Sequence, residues 1–351
     1  MQQPPAVAAR FSGAAAAAWG ALALRWPGAL LCGVIALAAS FVAGLHGGPQ
    51  LLYALFFGVC FHFLDDEAKT QPGIEFCGRT VLRLGVALLG ARITAAQIAA
   101  LGWTTAAIVV AAVASTIAVG ILLSRRLGLG TANGVLSGGA TAICGASAAL
   151  ALAAVLPRSR EQDRFTLVVV VSVTTLSTAA MLLYPPIARA LSLPPPLAGL
   201  FLGGTIHDVA QVVGAGYLMG PTTGDQATIV KLLRISLLAV VVMVVSMSSL
   251  SRRQAPGSPG PPVPRAALLP GFLQCFVVLV ACNSLGWIPA PAQHALNDIS
   301  RGCLVVAIAA LGVKTSFTTL AQAGWRSFAL LLVETVWLAG LVLAAVLLID
   351  R

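Results

Sequence analysis

Apolar runs long enough to cross a membrane follow one another along nearly the whole chain, which leaves few folds open to it. Only helices and closed β-barrels satisfy their backbone polar groups in lipid, and roughly 17–25 residues suffice for a helical crossing. The chain is 58% hydrophobic and 9% charged, whereas soluble domains carry about 25% charged residues. We therefore predict an all-α polytopic membrane protein, with spans at 27–45, 49–64, 79–95, 104–124, 165–187, 228–250, 266–287, 299–315 and 328–349.

Two further apolar segments, 131–156 and 196–220, differ from these spans in composition. Both are rich in Gly, Ala, Ser and Thr, and each contains a Gly-Gly pair. Clustered glycines let a helix break at membrane depth, where irregular backbone is tolerated if it is buried in protein or lines a cavity. We expect two Gly-rich discontinuous or re-entrant segments, which brings the total to about 9–11 membrane segments.

The chain divides on composition into four parts. A short lead-in with an alanine-rich run is expected to be interfacial or disordered, and an Arg/Pro/Gly-rich stretch forms the longest polar linker. The four predicted parts are the N-terminal lead-in 1–26, a membrane domain 27–250 with the first repeat and both Gly-rich segments, the Pro/Gly-rich linker 251–265, and the second-repeat spans 266–351.

The distribution of Lys and Arg predicts a cytoplasmic N-terminus, because basic loops stay on the cytoplasmic side. The loop 157–164 contains three arginines, and the side of the membrane on which it lies depends on whether segment 131–156 crosses the membrane. A full crossing of that segment would place the basic loop outside, whereas a hairpin would return it to the cytoplasm. Charge bias favours hairpins for both 131–156 and 196–220, and two crossing broken helices remain the alternative.

An internal repeat relates the two ends of the chain. Shifted by 222 positions without a gap, residues 79–103 fall on 301–325, with eight of 25 positions identical. The paired spans run in opposite directions in the topology above, which is the inverted-repeat pattern of many secondary transporters. Chance similarity between two Leu/Ala-rich spans is the alternative interpretation.

The first Gly-rich segment supplies candidate substrate-binding residues. A helix that starts at membrane depth offers free N–H groups and a partial positive charge, which suit an anion. Hydroxyl groups in the same segment would add polar contacts. The candidates are Ser137, Gly138, Gly139, Thr141, Gly145 and Ser147. Close helix packing by small residues explains the same composition and remains open.

The second Gly-rich segment places His207 beside Asp208 in an apolar stretch. Ionisable residues inside a membrane mark ion or substrate paths by default, and histidine changes charge near neutral pH. We predict that His207 and Asp208 couple transport to protons or sodium, and that Gly203, Gly204 and Gln211 contact substrate. On a continuous helix His207 and Gln211 would share a face. A buried hydrogen-bonded pair that only stabilises the fold is the alternative.

Two charged residues outside these segments also fall within predicted spans. Arg83 is expected to pair with a nearby carboxylate or to face an anionic substrate, and we include it among the substrate-binding candidates. Glu334 lies well inside the final span, where it would serve either as a proton site or as a structural hydrogen-bond acceptor.

Several functional classes find no support in the sequence. The chain contains no phosphate-binding loop, no HExxH, no GxSxG and no CxxC motif, so we expect neither an enzyme nor a bound cofactor or metal. Its seven cysteines are scattered among apolar spans, which argues against a disulfide framework. The net charge of +10 is spread over loops beside spans, so a nucleic-acid partner is not expected.

Three stretches in order, 75–92, 137–148 and 203–216, resemble the signature stretches of the YeiH-like family. The resemblance extends over roughly residues 30–350. It implies a bacterial inner-membrane protein, for which sulfate export is the usual label. The family looks related to the cation:proton antiporter and anion transporter superfamily, which uses inverted repeats and broken helices. Members of that superfamily commonly dimerise, so the resemblance also allows a homodimer.

These observations together predict a secondary transporter in the lipid bilayer that moves a small inorganic or organic anion, such as sulfate or a sulfonate. A cation/proton antiporter with Asp208 as ion ligand is the first alternative, and sodium-dependent stabilisation without any anion would indicate it. An accessory subunit or membrane-embedded enzyme would give no flux from purified protein. A passive channel would give flux that ignores a proton gradient.

Overall fold

The computed structural model describes residues 6–46, 50–65, 67–99, 102–157, 159–247, 271–314 and 325–350. All regular elements in these ranges are helical. The helices are α1 (Ala6–His46), α2 (Gln50–Cys60), α3 (Gln71–Phe76), α4 (Leu82–Leu88), α5 (Ala95–Ala99), α6 (Gly102–Arg126), α7 (Thr131–Ala142), α8 (Ala146–Ala153), α9 (Arg160–Ala190), α10 (Pro195–Thr205), α11 (Val209–Met219), α12 (Pro221–Met247), α13 (Gly271–Ser284), α14 (Ala290–Lys314) and α15 (Trp325–Ile349).

Six of these helices are long and apolar enough to cross a membrane, namely part of α1 together with α6, α9, α12, α14 and α15. Shorter apolar helices add to them at α2, α11 and α13. The predicted all-α polytopic architecture is therefore confirmed for the described part of the chain.

The predicted spans differ from the helices mainly at their ends. The helix α1 starts at Ala6 and continues without interruption through the predicted lead-in, with Pro27 inside it. The span predicted at 79–95 is irregular, because a π-helical turn at Cys77–Val81 precedes α4 and a 3₁₀ turn at Leu89–Ala91 follows it. The linker 251–265 lies outside the described residues, as does part of the second repeat copy, and the inverted repeat stays a prediction.

The chain groups into two compact units, the first formed by Met1–Val86 with Asp298–Thr315 and the second by Ala87–Asn297 with Ser316–Arg351. Glycine contacts hold the helices of the first unit close together. A Cβ atom added to Gly58 of α2 would lie 2.3 Å from the carbonyl oxygen of Ala309 in α14. A side chain at that position would therefore separate the two helices.

Within the second unit, α7 and α8 form a helical hairpin. Gly139 and Leu152 are 13 residues apart and would lie about 20 Å apart along a straight helix. A Cβ atom built on Gly139 would instead lie 2.3 Å from Leu152 Cδ1. The helix α8 therefore folds back along α7, and we call this pair the first hairpin.

The helices α10 and α11 form a second hairpin in the same unit. Gly199 of α10 and Gly216 of α11 both pack against the carbonyl oxygen of Thr223, with added Cβ atoms 3.1 and 3.4 Å away. In a straight helix these glycines would be about 25 Å apart. Both Gly-rich segments therefore fold back on themselves as helical hairpins.

Helices α6, α9, α12 and α15 of the second unit pack around the hairpins. The first hairpin and α9 share an apolar core that includes Leu136, Leu152 and Val169, all fully buried. Gly134 of α7 lies directly against Gly120 of α6, where an added Cβ would be 2.6 Å from the Gly120 oxygen. This packing holds the first hairpin deep within its unit.

Candidate functional site

The two hairpins turn at short non-helical tips, which we define as Ile143–Gly145 for the first and Ile206–Asp208 for the second. Gly145 has φ +65° and ψ −126°, a conformation that residues with a Cβ rarely adopt. The second tip is extended instead, with ψ values of 138° at Ile206 and 144° at Asp208. A Cβ added to Gly145 would lie 3.5 Å from the Cβ of His207, so the two tips touch.

Lys231 of α12 bridges the two tips through its ammonium group. Its side chain is fully buried, and Nζ donates to the carbonyl oxygens of Ile143 at 2.6 Å and Ile206 at 3.0 Å. A third, short hydrogen bond goes to the carbonyl oxygen of His207. An ammonium group has three donors, and backbone carbonyls accept from all of them.

Arg234, one turn further along α12, joins the ends of the two incoming helices. Nε and Nη2 donate to the Ala142 oxygen at 2.9 and 2.6 Å, and Nη2 also reaches the Thr141 oxygen at 3.2 Å. Nη1 donates to the oxygens of Gly203 at 2.9 Å and Ile206 at 3.0 Å. A guanidinium group has five N–H donors, and all five are used.

These two cations satisfy the carbonyl groups that a helix leaves free at its C-terminal end. A cation is also favourable there because the helix dipole places partial negative charge at that end. Since all eight N–H groups of Lys231 and Arg234 serve the backbone, neither residue has a donor left for a ligand. They hold the two tips together and bring positive charge to them.

Lys231 and Arg234 are not among the site residues predicted from the sequence. The available signal was a pair of cationic residues spaced i, i+3 inside the apolar run 228–250, where charged side chains are costly and mark functional positions. Their partners could not be read from the sequence, because carbonyl groups from segments about 25 to 90 residues away accept the hydrogen bonds.

His207 lies fully buried in the second tip and contacts two other elements. Its Nδ1 is 2.9 Å from the Thr141 oxygen, and a carbonyl only accepts, so Nδ1 carries a proton. Its Nε2 is 3.1 Å from Thr335 Oγ1, a hydroxyl that can also donate to the Leu331 oxygen at 2.8 Å. The single hydroxyl proton of Thr335 can bind only one acceptor at a time. It points to Nε2 when His207 is neutral, and it points to the Leu331 oxygen when His207 is charged and Nε2 carries its own proton.

Asp208 begins the returning helix α11 as its N-cap. Its Oδ1 accepts from the Ala210 amide at 2.8 Å, and its own amide donates to Ser177 Oγ at 3.0 Å. The residue is half-buried. Because the helix starts only at Val209, His207 precedes it, and the expectation that His207 and Gln211 share a helical face is wrong.

Gln211 and Glu334 are buried in different hydrogen-bond arrangements. Gln211 Nε2 donates to Thr178 Oγ1 at 2.8 Å, while its Oε1 has no partner among the described residues. Glu334 of α15 accepts from Ser137 Oγ at 2.6 Å through Oε1 and from Thr141 Oγ1 at 3.0 Å through Oε2. Ser137 and Thr141 thus contact a carboxyl group that the sequence places nearly 200 residues away.

The paired glycines of the two segments lie in the helices rather than in the tips. An added Cβ would come within 2.9 Å of Ile117 Cα at Gly138, 2.4 Å of the Ala227 oxygen at Gly203, and 3.0 Å of Val342 Cγ1 at Gly204. These glycines, with Gly139, let the hairpins pack closely against neighbouring helices.

The start of α8 is the more open side of the tips. Its N-cap Gly145 makes no side-chain cap, Ala146 is half-buried and Ser147 is exposed. Arg83, by contrast, belongs to the first unit, where it is exposed. No group of three or more His, Cys, Asp or Glu side chains suited to a metal occurs within the described ranges.

Comparison with known proteins gives matches over most of the chain. A UPF0324 membrane protein of Chlorobaculum tepidum is 48% identical over 322 residues, covering 92% of this chain and 89% of the relative. The UPF0324 membrane protein TauZ of Paracoccus denitrificans is 47% identical over 321 residues, covering 91% and 94%. A UPF0324 membrane protein of Rhizobium meliloti is 44% identical, covering 91% of each chain.

No solved structure matches the chain significantly. The family model described as conserved hypothetical protein 698 matches residues 27–331, which include both hairpins and the two cations that hold their tips. The chain therefore belongs to this family of multi-pass membrane proteins, the YeiH-like or UPF0324 family.

Proposed function

We propose that this protein is a secondary transporter of a small inorganic or organic anion, with sulfate and sulfonates as the first candidates, coupled to protons or sodium. We place it in the bacterial inner membrane with a cytoplasmic N-terminus. The observation that carries the proposal is the contact between two hairpin tips, joined by the buried Lys231 and Arg234. Interrupted helices that meet inside a membrane bundle are typical of transporter binding sites.

The arrangement of helix ends favours an anion over a cation at this site. Both incoming helices, α7 and α10, have their negative ends closed by Lys231 and Arg234. The outgoing helix α8 begins beside them with its first-turn N–H groups, its positive dipole end and no side-chain cap. Such a helix start suits an oxyanion, and the exposed Ser147 hydroxyl would add a further donor.

Lys231 and Arg234 support anion binding through charge rather than through direct contact. Their hydrogen bonds go to neutral carbonyl groups, so both positive charges act on a site of low dielectric constant, where electrostatic interactions are strong. We therefore propose that the direct ligands are backbone N–H groups of α8 and Ser147 Oγ, with Gly145 providing the turn that exposes them.

The cation/proton antiporter remains the second candidate because Asp208 is half-buried at the same tips. In that alternative the carboxylate of Asp208 would leave its capping position and bind the cation. Loss of the cap would then accompany ion binding, whereas the anion site leaves the cap intact.

The test is exchange in liposomes that contain the purified full-length protein and internal sulfate or methanesulfonate. Uptake of labelled external anion that depends on internal anion supports the proposal. If neither sulfate nor methanesulfonate is exchanged and a sodium gradient drives proton movement, the protein is a cation/proton antiporter and the anion proposal is wrong. No flux of either kind would indicate an accessory subunit, and anion leak without dependence on internal anion would indicate a channel.

The variant Ser147→Ala tests the position of the site. A hydrogen bond to a charged group contributes about 1.5–3 kcal/mol, so the half-saturating anion concentration should rise at least about tenfold. The matched control is Thr104→Ala, which removes an exposed hydroxyl from the first turn of α6 and should leave exchange unchanged. Equal half-saturation in wild type and Ser147→Ala would exclude the start of α8 as the binding site.

A further inference from the structure

Glu334 is a fully buried carboxyl group that the proposed anion site does not use. Its side chain reaches from the middle of α15 to α7, and its exposed fraction is 0%. Its two hydrogen-bond partners, Ser137 and Thr141, are neutral hydroxyl groups, and no ion pair involving Glu334 occurs in the described part of the chain. An ionised carboxylate without a counter-ion is very costly inside a protein, and neutralisation by a proton removes that cost.

The two hydroxyl partners respond differently to a proton on this carboxyl group. When Glu334 is ionised, it accepts from both hydroxyls. When a proton is bound at Oε1, the acid O–H donates to Ser137 Oγ, and the serine proton has to turn to another acceptor. The Gly134 oxygen, 3.4 Å from Ser137 Oγ, already provides one.

The position of Thr141 connects this carboxyl group to the hairpin tips. Thr141 lies in the last turn of α7, and its hydroxyl donates to Glu334 Oε2. Its carbonyl oxygen accepts from Arg234 Nη2 and His207 Nδ1. A change in the charge of Glu334 therefore acts on a residue that is bonded to the second tip and to the cation that joins both tips.

We infer that Glu334 is a proton-binding site whose loading and release drive anion movement through Ser137 and Thr141. A proton taken from water on one side of the membrane binds Glu334 Oε1, and the same proton is released to water on the other side. This inference rests on the proposed transport, and it assigns the coupling proton to Glu334 rather than to His207 and Asp208.

Other charged or titratable groups lie on the far side of Thr141. Lys231 and Arg234 project from α12, Cys144 belongs to the first tip, and His207 and Asp208 belong to the second. On the side of α6, Glu334 Oε1 faces Gly120, where an added Cβ would lie 2.6 Å away. Glu334 contacts the first hairpin directly, through the hydroxyl groups of Ser137 and Thr141.

The decisive variant is Glu334→Gln, which keeps the shape and an acceptor oxygen but cannot exchange a proton. Anion exchange at equal pH on both sides should persist within about threefold of wild type, because exchange needs no net proton movement. Uptake driven by an imposed pH gradient should fall at least tenfold. The control Glu67→Gln removes an exposed carboxylate and should leave both activities unchanged.

The outcomes separate the inference from the proposed function. Exchange in wild type with the same response to a pH gradient in Glu334→Gln would overturn the inference and leave transport intact. Wild-type uptake that follows a sodium gradient and ignores a pH gradient would also overturn it. Absence of exchange in wild type would overturn the transport proposal itself.

A second variant keeps the test informative if Glu334→Gln does not fold. Thr141→Val removes the hydroxyl that donates to Glu334 while its backbone carbonyl stays available to Arg234 and His207. The ionised carboxylate then loses one donor, so the pH midpoint of gradient-driven uptake should move to higher pH. An unchanged midpoint in a folded Thr141→Val protein would contradict a proton site at Glu334.

Discussion

The two hairpin tips are built from similar segments, yet they start their returning helices in different ways. The second tip starts α11 with Asp208, whose carboxylate accepts from the Ala210 amide. The first tip starts α8 with Gly145 in a positive-φ conformation and without a side-chain cap. Both tips have their incoming helices closed by the same two cations.

The difference supports the first tip as the proposed anion site. A side-chain cap occupies N–H groups at the helix start, and Asp208 fills this role with a group of the protein itself. The start of α8 has no side-chain cap, and Ser147 in its first turn is exposed. Two similar chain reversals thus start one returning helix with a side-chain cap and the other without one.

The largest expected effect comes from removing what the two tips share. Arg234→Met takes away five hydrogen bonds and leaves buried carbonyl groups with fewer donors. Loss of a buried charged network is in the class of changes that cost more than about 4 kcal/mol. We expect little monodisperse protein and a strongly lowered melting temperature in detergent. Arg83→Met, at an exposed arginine, should melt like wild type, and equal melting of the two variants would contradict the role of Arg234.

A smaller effect is expected from changing only the first tip. Gly145→Ala introduces a Cβ with tolerable contacts, at 3.5 Å from His207 Cβ and 3.6 Å from Val173 Cγ2. The cost is therefore conformational, about 1–3 kcal/mol for a strained φ, and anion-dependent stabilisation should weaken with it. Gly340→Ala is the control, because that helical position is open and alanine favours helix there. A thermal melt in which both variants behave alike would show that the Gly145 turn is not required.

The smallest effect is expected from changing only the cap of the second tip. Asp208→Ala removes the capping oxygen and should lower the free energy of unfolding by about 1 kcal/mol, whereas Asp208→Asn retains a good cap and should lower it by less. Thermal melts of the two variants in the same detergent measure the difference. Anion-dependent stabilisation should survive in Asp208→Asn. Its complete loss there, with Ser147→Ala unaffected, would move the binding site from the first tip to the second.

Much of the fold was predictable because a long run of apolar residues is enough to identify a membrane helix. Residues 102–126, 160–190 and 325–349 were placed within a few positions as spans. The hairpin form of 131–156 was also favoured in advance by the basic loop that follows it. These inferences depend on local composition and on the charge of adjacent loops, which sequence displays directly.

The candidate site was predictable only in part, because its residues interact over long sequence distances. Of the predicted site residues, Thr141, His207 and Asp208 lie at or beside the tips and Ser137 lies further back in α7. Their partners include residues of α9, α12 and α15. The sequence indicates Glu334 as a proton site or hydrogen-bond acceptor, but it does not identify Ser137 and Thr141 as its partners. Lys231 was not singled out, since nothing in its local sequence identifies the three carbonyl groups that accept from it.

Sequence by itself determined that this chain is a polytopic helical membrane protein with two glycine-rich interruptions. The length of an apolar run, the need of backbone groups in lipid for hydrogen bonds within their own helix, and a cluster of small residues are all local properties of the chain. The tertiary structure alone decided that Lys231 and Arg234 join the two interruptions and that Glu334 contacts the first hairpin. Those facts depend on which helix ends come together in three dimensions, where a buried donor takes whichever carbonyl group lies within about 3 Å.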